Sequence, residues 1–331
     1  MKLLKIALTG GPCGGKTAAT CRIQDAFTKL GYKVFLINET ATELLSTGVT
    51  PASLGRYDYQ SKQFFMQSTK EDVCGQEALS CGADKVLIVC DRGLPDNAAY
   101  LSMNDFYFLL KEHDMSRLET LLRYDAVFML RSAANESDEL YSVKSNPVRT
   151  ESARQAVELD EKLLLAWADH PNLYVIEAKK SFVDKINEVL TRLAEFAEEG
   201  KPFLYESKYI IEYPDTDKIQ ADLRTEKECY KLGPDKYALQ ETVNGEKRHK
   251  VIDQNEAYYC SNVDLLKLIA EGDSHKKKVV STVYGFHYED EYIEIETYEY
   301  QKNTAVLTIE KRDKNTPDRI PDEFTVIGKC I

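Results

Sequence analysis

The sequence predicts two domains of different class: an α/β P-loop domain built on a parallel sheet over residues 1–199, and a mainly antiparallel β-barrel domain over residues 200–331. Three observations carry this expectation. Short apolar runs alternate with helical stretches up to Gly200, and strand-like segments dominate after it. A strand, a glycine-rich loop and a helix open the chain in that order. The texture changes at Gly200-Lys201-Pro202, beyond which more than half of the 20 tyrosines fall.

In the first half, Lys5–Leu8, Lys33–Ile37, Lys85–Cys90, Asp125–Leu130 and Leu173–Glu177 read as buried strands. Each is bounded by turn residues or followed by an amphipathic stretch, the pattern of a parallel sheet covered on both faces. Ser181–Glu199 carries Phe182, Ile186, Val189, Leu190, Leu193 and Phe196 at helical spacing and closes the domain. In the second half the expected strands are Leu204–Tyr213, Lys218–Leu223, Glu228–Leu232, Tyr237–Val243, Lys247–Ile252, Val279–His287, Tyr292–Tyr300 and Thr304–Lys311. One short helix, Asn262–Glu271, interrupts them. In Glu291-Tyr-Ile-Glu-Ile-Glu-Thr-Tyr, strand periodicity puts Glu294 and Glu296 on one face and Ile293 and Ile295 on the other.

Composition narrows the function classes. A net charge of −12 argues against a broad phosphate-backbone footprint, so nucleic acid is not an expected partner. No apolar run reaches the ~18 residues a membrane span needs. The eight cysteines are scattered without a CxxC pair, and the five histidines show no metal-ligand spacing. Reduced thiols and a cytoplasmic location are the expectation.

Gly10-Gly11-Pro12-Cys13-Gly14-Gly15-Lys16-Thr17 matches G-x-x-x-x-G-K-[ST] between the first strand and the helical stretch Thr17–Leu30. Glycines let such a loop wrap phosphate with backbone N–H groups, and the helix N-terminus adds positive potential. Lys16 is expected on the β- and γ-phosphates, and Thr17 on Mg²⁺. Asp91 ends an apolar strand, as a Walker-B acid does, and is expected to hold Mg²⁺ through water or to activate a nucleophile. The Asp91-Arg92-Gly93 turn is of a kind found in nucleoside and nucleotide kinases. Glu39 leaves the strand Lys33–Ile37 at the same sheet edge, available to an acceptor hydroxyl or a metal-bound water. Asp96 lies close behind. Arg149 and Arg154 fall where small kinases carry a lid that stabilises the transferring phosphoryl group.

Gly10–Thr17, Glu39, the Asp91-Arg-Gly turn, Asn146–Arg154 and Trp167-Ala-Asp-His-Pro-Asn-Leu together resemble the AAA-type P-loop domains related to ribosylnicotinamide kinase. The second half is similar to a CYTH domain, the triphosphate-tunnel barrel. The joined arrangement resembles the TRPL translocation defect protein family, whose relatives bind GTP and phosphatidic acid. The tunnel family's opening Glu-x-Glu-x-Lys falls on Leu204-Tyr-Glu206-Ser-Lys208, with Leu204 in place of the first acid. Its cationic strands fall on Glu228-Cys-Tyr-Lys231 and Arg248-His-Lys250, and its acidic ones on Glu294-Ile-Glu296 and Glu310-Lys311. The resemblance thus implies an anion site made of Glu206, Lys208, Lys231, Arg248, Lys250, Glu296, Glu310 and Lys311. Hydrolysis of triphosphate needs a fuller set of carboxylates and cations, so binding is expected over turnover.

The leading expectation is an ATP- or GTP-dependent, Mg²⁺-requiring small-molecule kinase or NTPase. The second is a nucleotide-gated binding protein whose barrel takes a phosphate-bearing small molecule or an anionic lipid headgroup. The third is a triphosphatase acting through the barrel. The chain lacks the Asn-Lys-x-Asp and Thr-Lys-x-Asp guanine-reading motifs, so ATP and GTP are not separated.

Overall fold

The computed structural model describes residues 1–12, 14–132, 153–178, 181–243, 245–254, 256–271 and 278–330. The chain divides into two compact units, Met1–Glu199 and Gly200–Ile331.

In the first unit, β1 (Lys2–Thr9), β2 (Lys33–Ile37), β3 (Lys85–Asp91), β4 (Ala126–Leu130) and β5 (Leu173–Ile176) form one parallel sheet in the order β2-β3-β1-β4-β5. The helices are α1 (Lys16–Lys29), α2 (Thr40–Ser46), α3 (Pro51–Leu54), α4 (Arg56–Ser80), α5 (Met103–Glu112), α6 (Arg117–Leu121), α7 (Ala153–Trp167) and α8 (Phe182–Phe196), with a 3-10 turn at Leu94–Ala99. Central strands are apolar in unbroken runs because both faces are covered. Ala7, Val86, Ile88, Cys90 and Val127 pack with Ala78 of α4 and with Ala166 and Trp167 of α7. Their neighbours Ile6, Leu8, Leu87, Val89 and Phe128 point the opposite way and are just as buried. α1 and α8 pack against each other.

The strand register decides what emerges where. Leu8 pairs with Asp91, Ile37 with Cys90, Thr9 with Met129 and Leu130 with Ile176. Gly10, Glu39, Arg92 and Arg131 therefore leave the sheet at one C-terminal edge. There the chain turns from β1 toward β2 on one side and from β4 toward β5 on the other, the crevice where such sheets bind ligands.

The second unit is a nine-stranded antiparallel sheet. Its strands are β6 (Tyr205–Glu212), β7 (Leu223–Lys231), β8 (Lys236–Val243), β9 (Glu246–Asp253), β10 (Glu256–Tyr259), β11 (Val279–Tyr288), β12 (Glu291–Tyr298), β13 (Gln301–Lys311) and β14 (Val326–Lys329), with α9 (Asn262–Glu271) between β10 and β11. The order runs β10-β9-β8-β7-β11-β12-β13-β6-β14. The strand expected at Lys218–Leu223 is absent. Thr216–Lys218 is a 3-10 turn, and pairing begins at Leu223 in a strand that takes in the expected Glu228–Leu232 as far as Lys231. β10 and β14 were not anticipated; each has four residues, too few to display an alternation.

Candidate functional site

The glycine-rich loop joins β1 to α1 as its sequence requires. Gly10 has φ +131°, and a Cβ there would overlap the Leu130 carbonyl oxygen. A Cβ on Gly14 would stand 2.6 Å from the same oxygen. Only glycine lets the loop press this closely on the end of β4. Gly15 sits in the left-handed region as the N-cap of α1, and Ala19 N–H donates to its carbonyl at 2.9 Å. Cys13 lies outside the described residues.

Lys16 bends over this loop, its ammonium donating to Gly10 O at 2.9 Å and Gly11 O at 3.1 Å. Burial and the nearby Arg92 lower its pKa to about 8, against the pull of Asp91, Glu39 and Asp96. Thr17 is exposed at the first turn of α1.

Asp91 closes β3 beside this lysine. Its Oδ1 is buried and has no hydrogen-bond partner among the described residues. Burial, and then Glu39, push its pKa up to about 6, while Lys16 and Arg92 pull the other way. An orphaned carboxylate oxygen is costly to bury, so such a group calls for a ligand. Together with the Thr17 hydroxyl it offers the hard oxygen donors that Mg²⁺ prefers, and the residues fit that ion. Among the described residues no three His, Cys, Asp or Glu side chains cluster as a self-contained metal site.

Arg92 completes the cluster, and sequence reasoning quoted it without giving it a role. Its backbone adopts φ +79°, a strained setting for a non-glycine residue. From there its Nη1 donates to Gly10 O at 2.9 Å and its Nε to Glu39 Oε1 at 3.0 Å, and Asp96 Oδ2 lies 3.5 Å from Nη1. Burial disfavours its charge, but Tyr100, Glu39, Asp96 and Asp91 hold its pKa well above the usual value. Glu39 answers in kind. Burial alone would raise its pKa, yet Arg92 and Lys16 bring it to about 2, so it stays ionised across the physiological range. Its Oε2 accepts from Thr42 Oγ1 at 2.6 Å. Asp96 is a supporting residue: Thr9 Oγ1 donates to its Oδ1 at 2.7 Å and Trp167 Nε1 at 2.5 Å.

A second layer holds the loop from distant sequence positions. Gly11 N–H donates to Asp160 Oδ1 at 2.7 Å, and Asp160 Oδ2 forms an ion pair with Arg131, 3.0 Å from its Nε. Ser132 Oγ donates to Pro12 O at 2.6 Å. The buried Lys185 donates to Gly14 O at 2.8 Å and Arg131 O at 2.6 Å. One sequence signal was available for Asp160. It shares a helix stripe with Ala156, Leu163 and Trp167, all fully buried, and a carboxylate on such a stripe needs a partner.

Lys16, Glu39 and Asp91 thus meet at one place. Arg154 does not join them: its side chain is 89% exposed and pairs with Glu158 one turn along α7. Arg149 lies outside the described residues.

In the second unit the register sorts the anion-site candidates. Glu206, Lys208, Glu310, Glu296, Lys231, Arg248 and Lys250 share one face of the sheet through the pairs Glu206–Glu310, Lys208–Thr308, Thr308–Glu294, Glu296–Val283, Val283–Thr225, Lys231–Tyr237, Tyr237–Ile252 and Arg248–Glu241. Acids answer these cations locally, with Lys208–Glu206 at 3.2 Å and Lys250–Glu241 at 3.6 Å. Lys311 departs from the group. Its parity in β13 is that of Leu307 and Ile309, so it lies on the apolar face, where it is buried and bonded to Asp318 Oδ1 at 2.6 Å. Ile293 and Ile295 lie on that apolar face too, opposite Glu294 and Glu296.

No described helix is long and apolar enough to cross a membrane. A family model for an AAA domain matches residues 5–185, more than half of the chain. No curated protein matches it.

Proposed function

The chain belongs to the AAA domain family, and from that premise we propose that it binds ATP or GTP with Mg²⁺ and transfers the γ-phosphoryl group to a small hydroxyl-bearing acceptor of nucleoside or riboside type. The observation that carries this reading is the cluster of Lys16, Arg92, Glu39 and Asp91 at the glycine-rich loop, with Asp91 Oδ1 buried and unpaired.

The loop N–H groups and the N-terminal end of α1 receive the phosphates. Lys16 exchanges its contacts with Gly10 O and Gly11 O for the β- and γ-phosphate oxygens. Thr17 and Asp91 would hold Mg²⁺, which neutralises phosphate charge when bound. Glu39, ionised and fixed by Arg92, accepts a hydrogen bond from the acceptor hydroxyl and aims it. Its low proton affinity suits orientation more than proton removal, which a loose phosphoryl transition state tolerates. The acceptor oxygen bonds to the γ-phosphorus as the bond from that phosphorus to the bridging oxygen breaks. The nucleoside diphosphate leaves, and the hydroxyl proton is released to solvent. Arg149 and Arg154 then act as lid cations on the transferring group. With water as acceptor the same steps give an NTPase.

A second reading is a nucleotide-gated binding protein of the CYTH-fused, TRPL-like type. What favours it is the shared face of Lys208, Lys231, Arg248 and Lys250, suited to a phosphate-bearing small molecule or an anionic lipid headgroup. Triphosphate hydrolysis on that face is the third. A panel of nucleosides and ribosides assayed with Mg·ATP and Mg·GTP separates them. Turnover with an acceptor supports the kinase; tight nucleotide binding without turnover supports the gated binder and overturns the transferase.

A further inference from the structure

α4 carries a buried polar stripe that the phosphate chemistry leaves unexplained. Gln60, Gln63, Gln67 and Glu71 follow helical spacing and are 5%, 7%, 3% and 1% exposed. The lower half of the stripe is fully engaged. Gln67 accepts from Thr40 Oγ1 at 2.6 Å and donates to Glu71 Oε1 at 3.0 Å and to Arg92 O at 3.3 Å. Glu71 also accepts from Tyr124 OH at 2.7 Å and pairs with Lys5 and Arg123. The upper half is different: Gln60 Oε1 is buried without a hydrogen-bond partner among the described residues.

Position gives that orphan a meaning. Gln67 is level with Arg92, at the end of β3. Gln63 and Gln60 stand about 6 and 10 Å further along the helix, beyond the sheet edge and on the side of the phosphate loop. The adjacent Tyr59 hydroxyl donates to Ala41 O at 3.4 Å, and its pKa is raised by burial first and then by the nearby Glu39, so this turn of α4 borders the acceptor carboxylate. Phe64, on the same turn, packs with Leu94 and Phe106 into an apolar wall. A neutral amide beside an apolar wall suits a flat, uncharged group that both donates and accepts hydrogen bonds.

We infer that Gln60 and Gln63 are the specificity residues for the phosphoryl acceptor, reading a neutral donor–acceptor edge of the kind a nucleobase carries while Glu39 holds the hydroxyl. The inference rests on the phosphotransferase reading, and its test separates the two. Adenosine, guanosine, cytidine and uridine are offered as acceptors with Mg·ATP, and ribose, which has no base, is the control. In Gln60→Leu and Gln63→Leu, kcat/KM for the accepted ribonucleoside falls about 10- to 100-fold. The KM for ATP and any turnover of ribose do not change. Gln60→Asn, which keeps the amide but shortens its reach, covers the case in which the leucine variant does not fold. Equal turnover of every ribonucleoside by wild type and variants overturns the subsite and leaves the transferase standing. If no acceptor is turned over, the transferase reading fails. The subsite is then decided by calorimetric titration of the four ribonucleosides into protein holding Mg²⁺ and a non-hydrolysable ATP analogue. Binding that the variants lose supports it; no binding, or binding the variants keep, overturns it.

Discussion

Asp91→Asn is the sharpest perturbation, because it should strengthen the fold and disable the site together. The wild-type carboxyl is raised from 3.8 to about 6, chiefly by burial and by Glu39. Such a rise corresponds to about 3 kcal/mol of stability that an ionised Asp91 removes from the folded state. The sign follows from linkage. Between those two values the folded protein binds more protons than the unfolded chain, so wild-type stability falls as pH rises through that window. Asparagine is spared this loss. It also withdraws a charge that supports Lys16, which returns part of the gain. The net expectation at pH 7.5 without Mg²⁺ is a stabilisation of ~1–3 kcal/mol, shrinking to nothing near pH 4.

The assay is urea unfolding in EDTA from pH 4 to 8, followed by the fluorescence of Trp167. That residue is the single tryptophan and is buried in the first unit, so the signal belongs to the unit under test. In parallel, Mg²⁺-dependent turnover should fall at least a hundredfold in the variant, while nucleotide affinity measured without Mg²⁺ holds. A variant less stable than wild type at pH 7.5, or a difference that ignores pH, would refute the reading of Asp91 as a buried, ligand-seeking charge.

Three further outcomes are expected. Lys16→Ala should weaken ATP and GTP binding at least tenfold by calorimetry with no loss of fold, since among the described residues the ammonium donates only to loop carbonyls; unchanged affinity removes the loop from nucleotide binding. Arg154→Ala should leave stability within about 0.5 kcal/mol, as an exposed pair with Glu158 contributes little, yet lower kcat more than it raises KM; a pure KM effect makes it a ground-state contact. Asp318→Asn should destabilise the second unit by about 1–3 kcal/mol at neutral pH in calorimetry, because Lys311, Tyr209, Lys329 and Ser207 all bond this carboxylate and hold its pKa well below the ordinary value. That stabilisation is present above pH 3.8 and is lost as pH falls through the depressed value, so a wild-type advantage persisting in strong acid would contradict it.

The α/β half was legible because its signals are local. Ile6-Ala-Leu, Val86–Cys90 and Ala126–Leu130 are unbroken apolar runs, and only a sheet covered on both faces buries such runs. The phosphate loop could be read because its glycines answer a steric need within one turn of chain. The second half was read with more error where alternation was short or misleading. Lys218–Leu223 has strand-like composition, but its first residue ends a 3-10 turn, and pairing starts only at Leu223 with β11 and at Thr225 with β8. Lys311 was grouped with Glu310 by adjacency, although successive strand residues face opposite ways, and its neighbour's face is not its own.

What the sequence did not yield is the set of residues that act through folding distance. Asp160, Lys185 and Ser132 reach the loop across separations of 149, 171 and 120 residues, and no spacing rule operates over such intervals. Arg92 was hidden differently, since a buried arginine and an exposed one look alike in a string of letters. Its importance follows from two acceptors and an ion-pair partner meeting it at once: Gly10 O and Glu39 accept its hydrogen bonds, and Asp96 lies within ion-pair distance. That convergence also explains why Glu39 and Asp91, two carboxylates at one sheet edge, end with opposite proton affinities. Arg92 donates to Glu39 directly, whereas Asp91 Oδ1 is left without a donor. On the proposed function, the pair would divide the labour of a phosphotransferase, with one carboxylate fixed and charged to aim a hydroxyl and the other held open for a cation.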